Sequence, residues 1–283
     1  MAKKKLTLVD LFAGCGGVAL GFHYVGFETL IANEMHPDPA DTYRKNLLVG
    51  KEERMIVGPM QKFLQNKHID QLGIKPFEVD CVAGGPPCQG FSNAGPNIAT
   101  DPRNKLYREY LRVIRKIKPK SLFFENVPGF TTRYGLNLQE HLVKSLEKIG
   151  YRVASGKVFS CFYGVPQLRQ RFILIGVHKK FTSLEKIALP KETWTLSQIN
   201  KDLTAEKVIG DLNSYTKYGG GVDKELEQYK LPAKTKFQRE MRKVSGTSSK
   251  GSTMNTKIPA HGETVQKRFK KFGYFSPKIS PDT

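Results

Sequence analysis

The chain has 283 residues, of which 46 are Lys or Arg and 26 are Asp or Glu, so its formal net charge at pH 7 is +20. Hydrophobic residues make up 39% of the chain and aromatic residues 10%, which is enough to build a core and excludes an intrinsically disordered protein. The four cysteines form no C-x-x-C pair, which excludes a disulfide scaffold and favours a reducing, cytoplasmic environment.

Membrane and metal sites are not expected either. No apolar run approaches the roughly 18 residues that a membrane helix needs, so we expect a soluble protein. The six histidines form no ligand-spaced cluster with cysteines or carboxylates, so no metal is expected.

Short apolar runs alternate with helix-length amphipathic segments along the first 150 residues. This alternation predicts a doubly wound, Rossmann-like α/β sheet whose strands are mostly parallel. Residues 151–159 and 171–177, joined by a short polar link, predict an antiparallel pair at the edge of that sheet. The predicted parallel strands are residues 6–10, 28–32, 55–57, 78–83 and 120–124.

The regular alternation fades after about residue 180, which predicts a domain over residues 1–180 and a basic extension over 181–283. Within residues 230–271 there are 12 Lys or Arg and only two acidic residues, Glu240 and Glu263. Such a cluster is typical of a surface that binds nucleic acid, because it neutralises phosphates. A merely solvated basic surface is the alternative.

A glycine-rich segment, Asp10-Leu-Phe-Ala-Gly14-Cys-Gly16-Gly17, follows the first predicted strand and precedes a helix. The glycines let a bulky polar ligand approach the helix N-terminus, which indicates a nucleotide-like cofactor. Glu34 ends the second strand, where a carboxylate can accept hydrogen bonds from ribose hydroxyls. A simple tight turn is the alternative.

A cysteine follows the fourth predicted strand in the segment Gly84-Gly-Pro-Pro-Cys88-Gln-Gly-Phe-Ser92. The two prolines restrict the backbone and the glycines allow close approach, so the segment presents the thiol on a shaped turn beside the cofactor. Cys88 is therefore a candidate nucleophile. A buried structural cysteine is the alternative.

Two further segments carry polar groups towards the same sheet edge. Glu125 and Asn126 end the fifth strand in Glu-Asn-Val-Pro-Gly, and we expect Asn126 to orient the Cys88 segment. The segment Gln-Leu-Arg169-Gln-Arg171 leads into the last strand, where alternation puts both arginines on one face. Paired arginines suit phosphates or a base carbonyl, although a solvated strand start is equally compatible.

These four motifs together resemble the DNA (cytosine-5) methyltransferases, which use S-adenosylmethionine. DLFAGCGG, GGPPCQGFS, ENVPG and QLRQR occur in that family's order, and the resemblance covers about residues 5–180. It implies the family's doubly wound methyltransferase fold, a cofactor-binding catalytic domain, and a target cytosine that is flipped out of the DNA duplex.

The resemblance also implies residue roles. Cys88 would add to cytosine C6, Glu125 would hydrogen-bond or protonate N3, and Arg169 and Arg171 would position the flipped nucleotide. Residues 89–104 would move as a lid over the site. The residues implied for the cofactor are Phe12, Gly14, Gly16, Glu34, Met35 and Leu106.

The chain also departs from the family pattern. Gly58-Pro59-Met60 stands where relatives usually carry an aspartate for the adenine amino group. No target-recognition region or closing segment is recognisable, so we expect the first subunit of a split enzyme, completed by a second chain. A truncated, inactive DNA-binding protein is the alternative.

Other functions compete with cytosine-5 methylation of DNA in a restriction–modification system. A nicotinamide-dependent oxidoreductase shares the glycines and the ribose carboxylate, but gives GGPPCQGFS no role. In a non-catalytic DNA-binding protein, the thiol that this segment presents at Cys88 would have no function. Methylation of tRNA, carried out by a branch of the same family, stays open.

Overall fold

The computed structural model describes residues 5–65, 73–87, 106–131, 137–210, 226–228, 232–244 and 252–254. A seven-stranded sheet with the order β3-β2-β1-β4-β5-β7-β6 forms its centre. The strands are β1 Leu6–Leu11, β2 Phe27–Glu34, β3 Met55–Val57, β4 Cys81–Gly84, β5 Ser121–Asn126, β6 Tyr151–Phe159 and β7 Gln170–His178.

The sheet is mostly parallel, as predicted. β1 pairs in parallel with β2 and β4, β2 with β3, and β4 with β5. β7 is antiparallel to β5, with Glu125 opposite Ile173 and Asn126 opposite Phe172. The antiparallel strand is therefore one position in from the edge, because β6 covers it.

Apolar residues cover the sheet on both faces, as a doubly wound fold requires. Strand alternation sends Leu8 to one side, with Ala19 and Tyr43, and Val9 to the other, with Tyr110. The helices of this region are α1 Gly17–Tyr24, α2 Pro37–Leu47, α3 Met60–Gln65, α4 Leu106–Ile117 and α5 Leu138–Lys148.

Local sequence explains where these helices begin. Pro37 occupies the first turn of α2, where its missing N–H is not needed. Asn137 caps α5 by accepting a hydrogen bond from the Glu140 N–H at 3.0 Å. α4 buries Tyr107, Tyr110 and residues 111, 114 and 117, the spacing of an amphipathic helix.

The chain divides into two compact units, residues 1–158 with 170–190 and residues 159–169 with 191–283. The first contains most of the sheet. The second has a small core of Cys161, Ile199 and Leu203, and Thr195 begins its first helix with a capping box. Its elements are α6 Leu196–Asp202, α7 Ala205–Ile209, α8 Lys236–Val244 and the antiparallel strands β8 Leu226–Gln228 and β9 Ser252–Met254.

The predicted domain division at residue 180 stays a prediction. Over the ranges that the structure describes, no helix combines the length and apolar character needed to cross a membrane. Within the same ranges, no three His, Cys, Asp or Glu side chains are grouped so that they could hold a metal ion.

Candidate active site

The candidate site lies at the carboxyl ends of β1, β2, β4 and β5, which share one edge because these strands are parallel. Open α/β sheets bind ligands at this edge. The segments that leave it are the glycine-rich loop, the end of β2 at Glu34, the Gly85–Pro87 segment and the end of β5 at Glu125 and Asn126.

The glycine-rich loop between β1 and α1 needs unusual backbone conformations. Phe12, Gly14 and Gly16 all have positive φ, at 56°, 55° and 93°. A Cβ on Gly16 would also lie 2.5 Å from Leu47 and 2.8 Å from Tyr43, so α1 approaches α2 closely only with glycine there. A positive φ at a non-glycine residue such as Phe12 is uncommon and is found at ligand sites.

Glu34 ties this loop to the start of α2. Its Oε2 accepts a hydrogen bond from the Gly14 N–H at 2.8 Å, and its Oε1 accepts one from the His36 N–H at 3.0 Å. The residue is 8% exposed, so backbone donors compensate for the burial of its charge. Each carboxylate oxygen retains a lone pair for a further donor.

Two residues flank Glu34 in different ways. Asn33 was not singled out from the sequence, yet its Nδ2 donates to the Ile56 oxygen at 3.1 Å and the Gly58 oxygen at 3.0 Å, which joins the ends of β2 and β3. Met35, predicted to cover the adenine, is 56% exposed.

The Gly58-Pro59-Met60 turn, which departs from the family pattern in sequence, follows β3 and is fixed by backbone and core contacts. The Gly58 N–H donates to the Glu34 main-chain oxygen at 2.8 Å, and the Met60 side chain is buried in the core. Pro59 has no N–H to donate. This turn therefore offers no side-chain carboxylate at the end of β3.

Glu125 has a side-chain partner in Arg171. Arg171 Nε lies 2.9 Å from Glu125 Oε1, and the Glu125 side chain is 31% exposed. A Cβ on Gly85 would lie 3.2 Å from Glu125 Oε2. The Glu125 carboxylate therefore stands against the backbone three residues before Cys88.

Asn126 contacts the same segment, and its expected role in orienting Cys88 stays a prediction. Its Nδ2 donates to the Pro86 oxygen at 2.9 Å, and its Oδ1 accepts from the Val127 N–H at 2.9 Å. The residue is buried, so these bonds are shielded from water. Asn126 fixes the start of the chain that leads to Cys88.

Not every predicted residue is placed. Cys88 and the predicted lid, residues 89–104, lie outside the described residues. Leu106 is the first residue of α4 and is partly buried. Arg169 is exposed and belongs to the second unit, and β7 begins one residue after it, so strand alternation does not set its direction.

Asp10 and Tyr43 are buried polar residues that the sequence reasoning gave no role. Burial, opposed by a hydrogen bond from Tyr43 and assisted by the charge of Glu34, raises the pKa of Asp10 to about 7. Within the described structure, Asp10 Oδ2 has no hydrogen-bond partner. The signal available in the sequence was a carboxylate inside an apolar strand.

The doubly wound sheet carries the glycine-rich loop with Glu34 and the Gly85–Pro87 segment with Glu125 at one edge. This combination defines a methyltransferase-like α/β protein. A solved DNA modification methyltransferase encoded within an E. coli prophage shares the fold, with a TM-score of 0.67, 23% identity, and coverage of 93% of this chain and 74% of that one. The family model described as C-5 cytosine-specific DNA methylase matches residues 6–279. The chain belongs to this family.

Curated relatives support the same assignment. Type II methyltransferase M1.HphI of Haemophilus parahaemolyticus is 37% identical over 174 residues, which are 60% of this chain and 45% of the relative. Type II methyltransferase M.DdeI of Desulfomicrobium norvegicum is 31% identical over 246 residues, 85% of this chain and 55% of the relative. The chain thus spans about half the length of these relatives.

Proposed function

We propose that the chain transfers a methyl group from S-adenosylmethionine to C5 of cytosine in double-stranded DNA, as the modification enzyme of a Type II restriction–modification system. The observation that carries this proposal is the position of Glu125, held by Arg171 at 2.9 Å against the backbone that leads to Cys88. Family membership supports the reaction type.

The residues at the carboxyl edge fit S-adenosylmethionine. Glu34 keeps acceptor capacity for ribose hydroxyls, and no heavy atom of the described chain lies within 4 Å of a Cβ built on Gly14, so space is open above the loop. Asp10 Oδ2, near the end of β1, has no hydrogen-bond partner among the described residues. When bound, the cofactor supplies a methyl group activated by its sulfonium. The residues proposed to hold it are Phe12, Gly14, Gly16, Glu34, Met35 and Leu106.

In the proposed reaction the target cytosine leaves the DNA stack and enters the cleft. The Cys88 thiolate forms a bond to C6, and Glu125 hydrogen-bonds or protonates N3, which makes C5 electron-rich. C5 then takes the methyl group as the methyl–sulfur bond of the sulfonium breaks. Loss of the C5 proton to solvent, return of the N3 proton to Glu125 and breakage of the Cys88–C6 bond restore the aromatic ring and the Cys88 thiolate.

Arg171 and Asn126 have supporting roles in this scheme. Arg171 orients the Glu125 carboxylate, and Asn126 holds the Pro86 carbonyl so that the following residues leave the sheet in one direction. We propose that Arg169 and Arg171 also contact O2 and phosphate of the flipped nucleotide.

DNA binding is assigned to the basic stretch over residues 230–271. Its described helix, α8, carries Lys236 and Arg239 on exposed positions. The binding constant for duplex DNA should fall steeply with salt concentration, and Lys236→Gln with Arg239→Gln should reduce the log–log slope by about 2. Fluorescence anisotropy at several salt concentrations measures this slope. A flat salt profile of the unsubstituted protein refutes the assignment.

Methyl transfer from labelled S-adenosylmethionine is the direct test of the activity. Mixed-sequence duplex DNA should accept label in 5-methylcytosine, whereas labelling of tRNA alone would overturn the choice of substrate. A thermal shift with NAD but none with S-adenosylhomocysteine would overturn the cofactor.

The second subunit predicted from the sequence is a separate proposal. The same assay, run with this chain alone and with the protein encoded beside it, tests that proposal. Activity that requires the neighbour supports the split arrangement, and full activity of the chain alone contradicts it.

A further inference from the structure

Four lysines lie around a cluster of rings at the amino edge of the sheet, the edge opposite the candidate site. Lys120 directly precedes β5, and its main-chain oxygen accepts the N–H of His178, which ends the antiparallel strand β7, at 2.9 Å. Lys179 and Lys180 follow β7, and Lys118 follows α4. We refer to these four lysines, 118, 120, 179 and 180, as the amino-edge patch.

Aromatic packing fixes the backbone that carries the patch. The His178 ring lies 4.6 Å from the Phe77 ring and 5.1 Å from the Tyr151 ring, measured between centroids. The Phe77 ring lies 5.5 Å from the Phe181 ring, and Lys180 Nζ lies 4.9 Å from the Phe77 centroid. The Lys180 N–H also donates to His178 Nδ1 at 3.3 Å. The turn after β7 is therefore held in place by its own side chains.

Two residues of this region have backbone conformations that side chains rarely adopt. Phe77 and Lys118 have positive φ, at 70° and 47°, and the Phe77 N–H donates to the Lys118 oxygen at 2.9 Å. Lys118 follows the end of α4, a position where glycine is common because it has no Cβ. The third described non-glycine residue with positive φ, Phe12, lies in the glycine-rich loop. Such conformations cluster at binding sites.

Positive charge dominates the amino-edge patch. Lys120 Nζ lies 2.7 Å from Asp80 Oδ1, whereas the other three lysines have no carboxylate partner among the described residues and are exposed. Burial lowers the pKa of His178, and the charges of the same three lysines lower it further, so they act on one imidazole. Three like charges held close together repel one another, and an anion that binds between them relieves this repulsion.

The chemistry of the patch suits phosphate groups rather than base edges. Lysine presents a compact charge without the planar fork by which arginine recognises guanine, and the amide groups that recognise adenine are absent from a set that consists only of lysines. Lysine contacts to phosphates position a nucleic acid without reading its sequence. The expected ligand is therefore the backbone of a nucleic acid of any sequence.

The distance between the two edges separates this patch from the candidate active site. Lys120 precedes β5 and Glu125 lies five residues further along the same strand, so the two backbones are about 17 Å apart. Duplex DNA is stiff over this length, and bending it sharply enough to follow the sheet from one edge to the other costs several kcal/mol, of order 1–6 for bends of 40–90°.

We propose that the amino-edge patch binds the phosphate backbone of a second DNA duplex, distinct from the duplex that supplies the target cytosine. The assignment of the first duplex to the carboxyl edge rests on the proposed function, whereas the patch itself does not depend on methyl transfer. Binding of two segments lets the protein pass from one segment to another while it searches for its target, because contacts to phosphates are independent of sequence.

Lysine footprinting of the full, unsubstituted chain tests the proposal without any substitution. The protein is acetylated with an N-hydroxysuccinimide ester, with and without an excess of short duplex DNA, and mass spectrometry measures acetylation at each lysine. We expect the reactivity of Lys118, Lys179 and Lys180 to fall by about tenfold at low salt and to recover at high salt. Lys45 and Lys144, exposed lysines on α2 and α5, are the internal controls and should stay reactive.

A bridging assay tests the second duplex directly. Beads that carry one duplex bind the protein and then capture a second, fluorescent duplex from solution. Lys179→Gln combined with Lys180→Gln should reduce this capture by about tenfold, because two phosphate contacts are lost. Methylation of the duplex DNA in solution should be unchanged. Lys45→Gln combined with Lys144→Gln removes the same charge from exposed helix positions and should capture the second duplex as the unsubstituted protein does.

The outcomes separate this inference from the proposed function. If the chain methylates DNA but the patch lysines are not protected, or both double variants capture the second duplex equally, the patch assignment is wrong and the proposed function stands. If the patch is protected but no cytosine is methylated, the patch assignment stands and the proposed function fails. Protection by polyglutamate but not by duplex DNA would assign the patch to an acidic protein and overturn the proposal.

Discussion

Glu34 and Glu125 end strands of the same sheet edge, yet they are held in different ways. Glu34 is buried, and both of its oxygens accept backbone N–H groups. Glu125 is about one-third exposed and is held by the Arg171 side chain. Backbone donors hold a carboxylate in one place, which suits binding. A side-chain partner at an accessible position can exchange contacts when a substrate arrives, which suits proton chemistry.

Glu125→Gln tests the proposed catalytic role of Glu125, and we expect it to have the largest effect of the substitutions considered. Loss of the proposed acid at N3 should lower kcat for DNA methylation by about 10²- to 10⁴-fold. The dissociation constant for S-adenosylhomocysteine should stay within about twofold, because the cofactor contacts are elsewhere. Single-turnover methylation and calorimetry measure the two quantities. Equal losses in both would mean that Glu125 belongs to the cofactor site.

Gly16→Ala tests the packing of the glycine-rich loop against α2, next to Glu34. The methyl group would meet Leu47 and Tyr43 in a backbone conformation that L residues avoid, so unfolding free energy should fall by about 2–4 kcal/mol. Urea denaturation followed by circular dichroism measures the change.

Gly21→Ala, inside the helix that Gly16 precedes, is the matched control. Among the described residues no heavy atom lies within 4 Å of the added carbon, and the position is inside α1, so stability should rise by about 0.5–1 kcal/mol. Equal destabilisation by the two substitutions would contradict the packing described for Gly16.

Glu34→Gln should have a smaller effect than Glu125→Gln on turnover at saturating cofactor. The amide keeps one acceptor oxygen but loses the charge that the Gly14 and His36 N–H groups stabilise. Cofactor affinity should therefore fall by about ten- to a hundredfold. Titration with S-adenosylhomocysteine checks this, and unchanged affinity would remove Glu34 from the proposed cofactor site.

The sequence predicted the parts of the fold that depend on local pattern. Apolar runs and glycine-rich turns indicated the parallel strands β1 to β5, and the position of Glu34 at the end of β2 followed from its distance to Gly17. The insertion of β7 between β5 and β6 was not predicted, because strand order depends on pairing partners rather than on the composition of either strand.

The site was predictable only in part for a similar reason. Motif residues such as Glu34 and Glu125 stand at the ends of different strands, so parallel pairing places them at the same edge of the sheet. The contact of the Tyr43 hydroxyl with Thr29 Oγ1, at 3.1 Å, joins α2 to β2 through the core, and the spacing of the two residues in the sequence does not predict it. Arg169 was paired with Arg171 by alternation, but it precedes β7, where alternation does not apply.

The central claim is that Cys88 attacks cytosine C6 with help from Glu125, and a covalent trap tests it most directly. Duplex DNA containing 5-fluorocytosine at the target position, incubated with S-adenosylmethionine and the protein, should give a stable adduct, because fluorine blocks the final loss of the C5 substituent. Peptide mass spectrometry should locate the adduct on Cys88, and Cys88→Ala should give none. An adduct of equal yield in Cys88→Ala, or one located on another residue, would contradict the account.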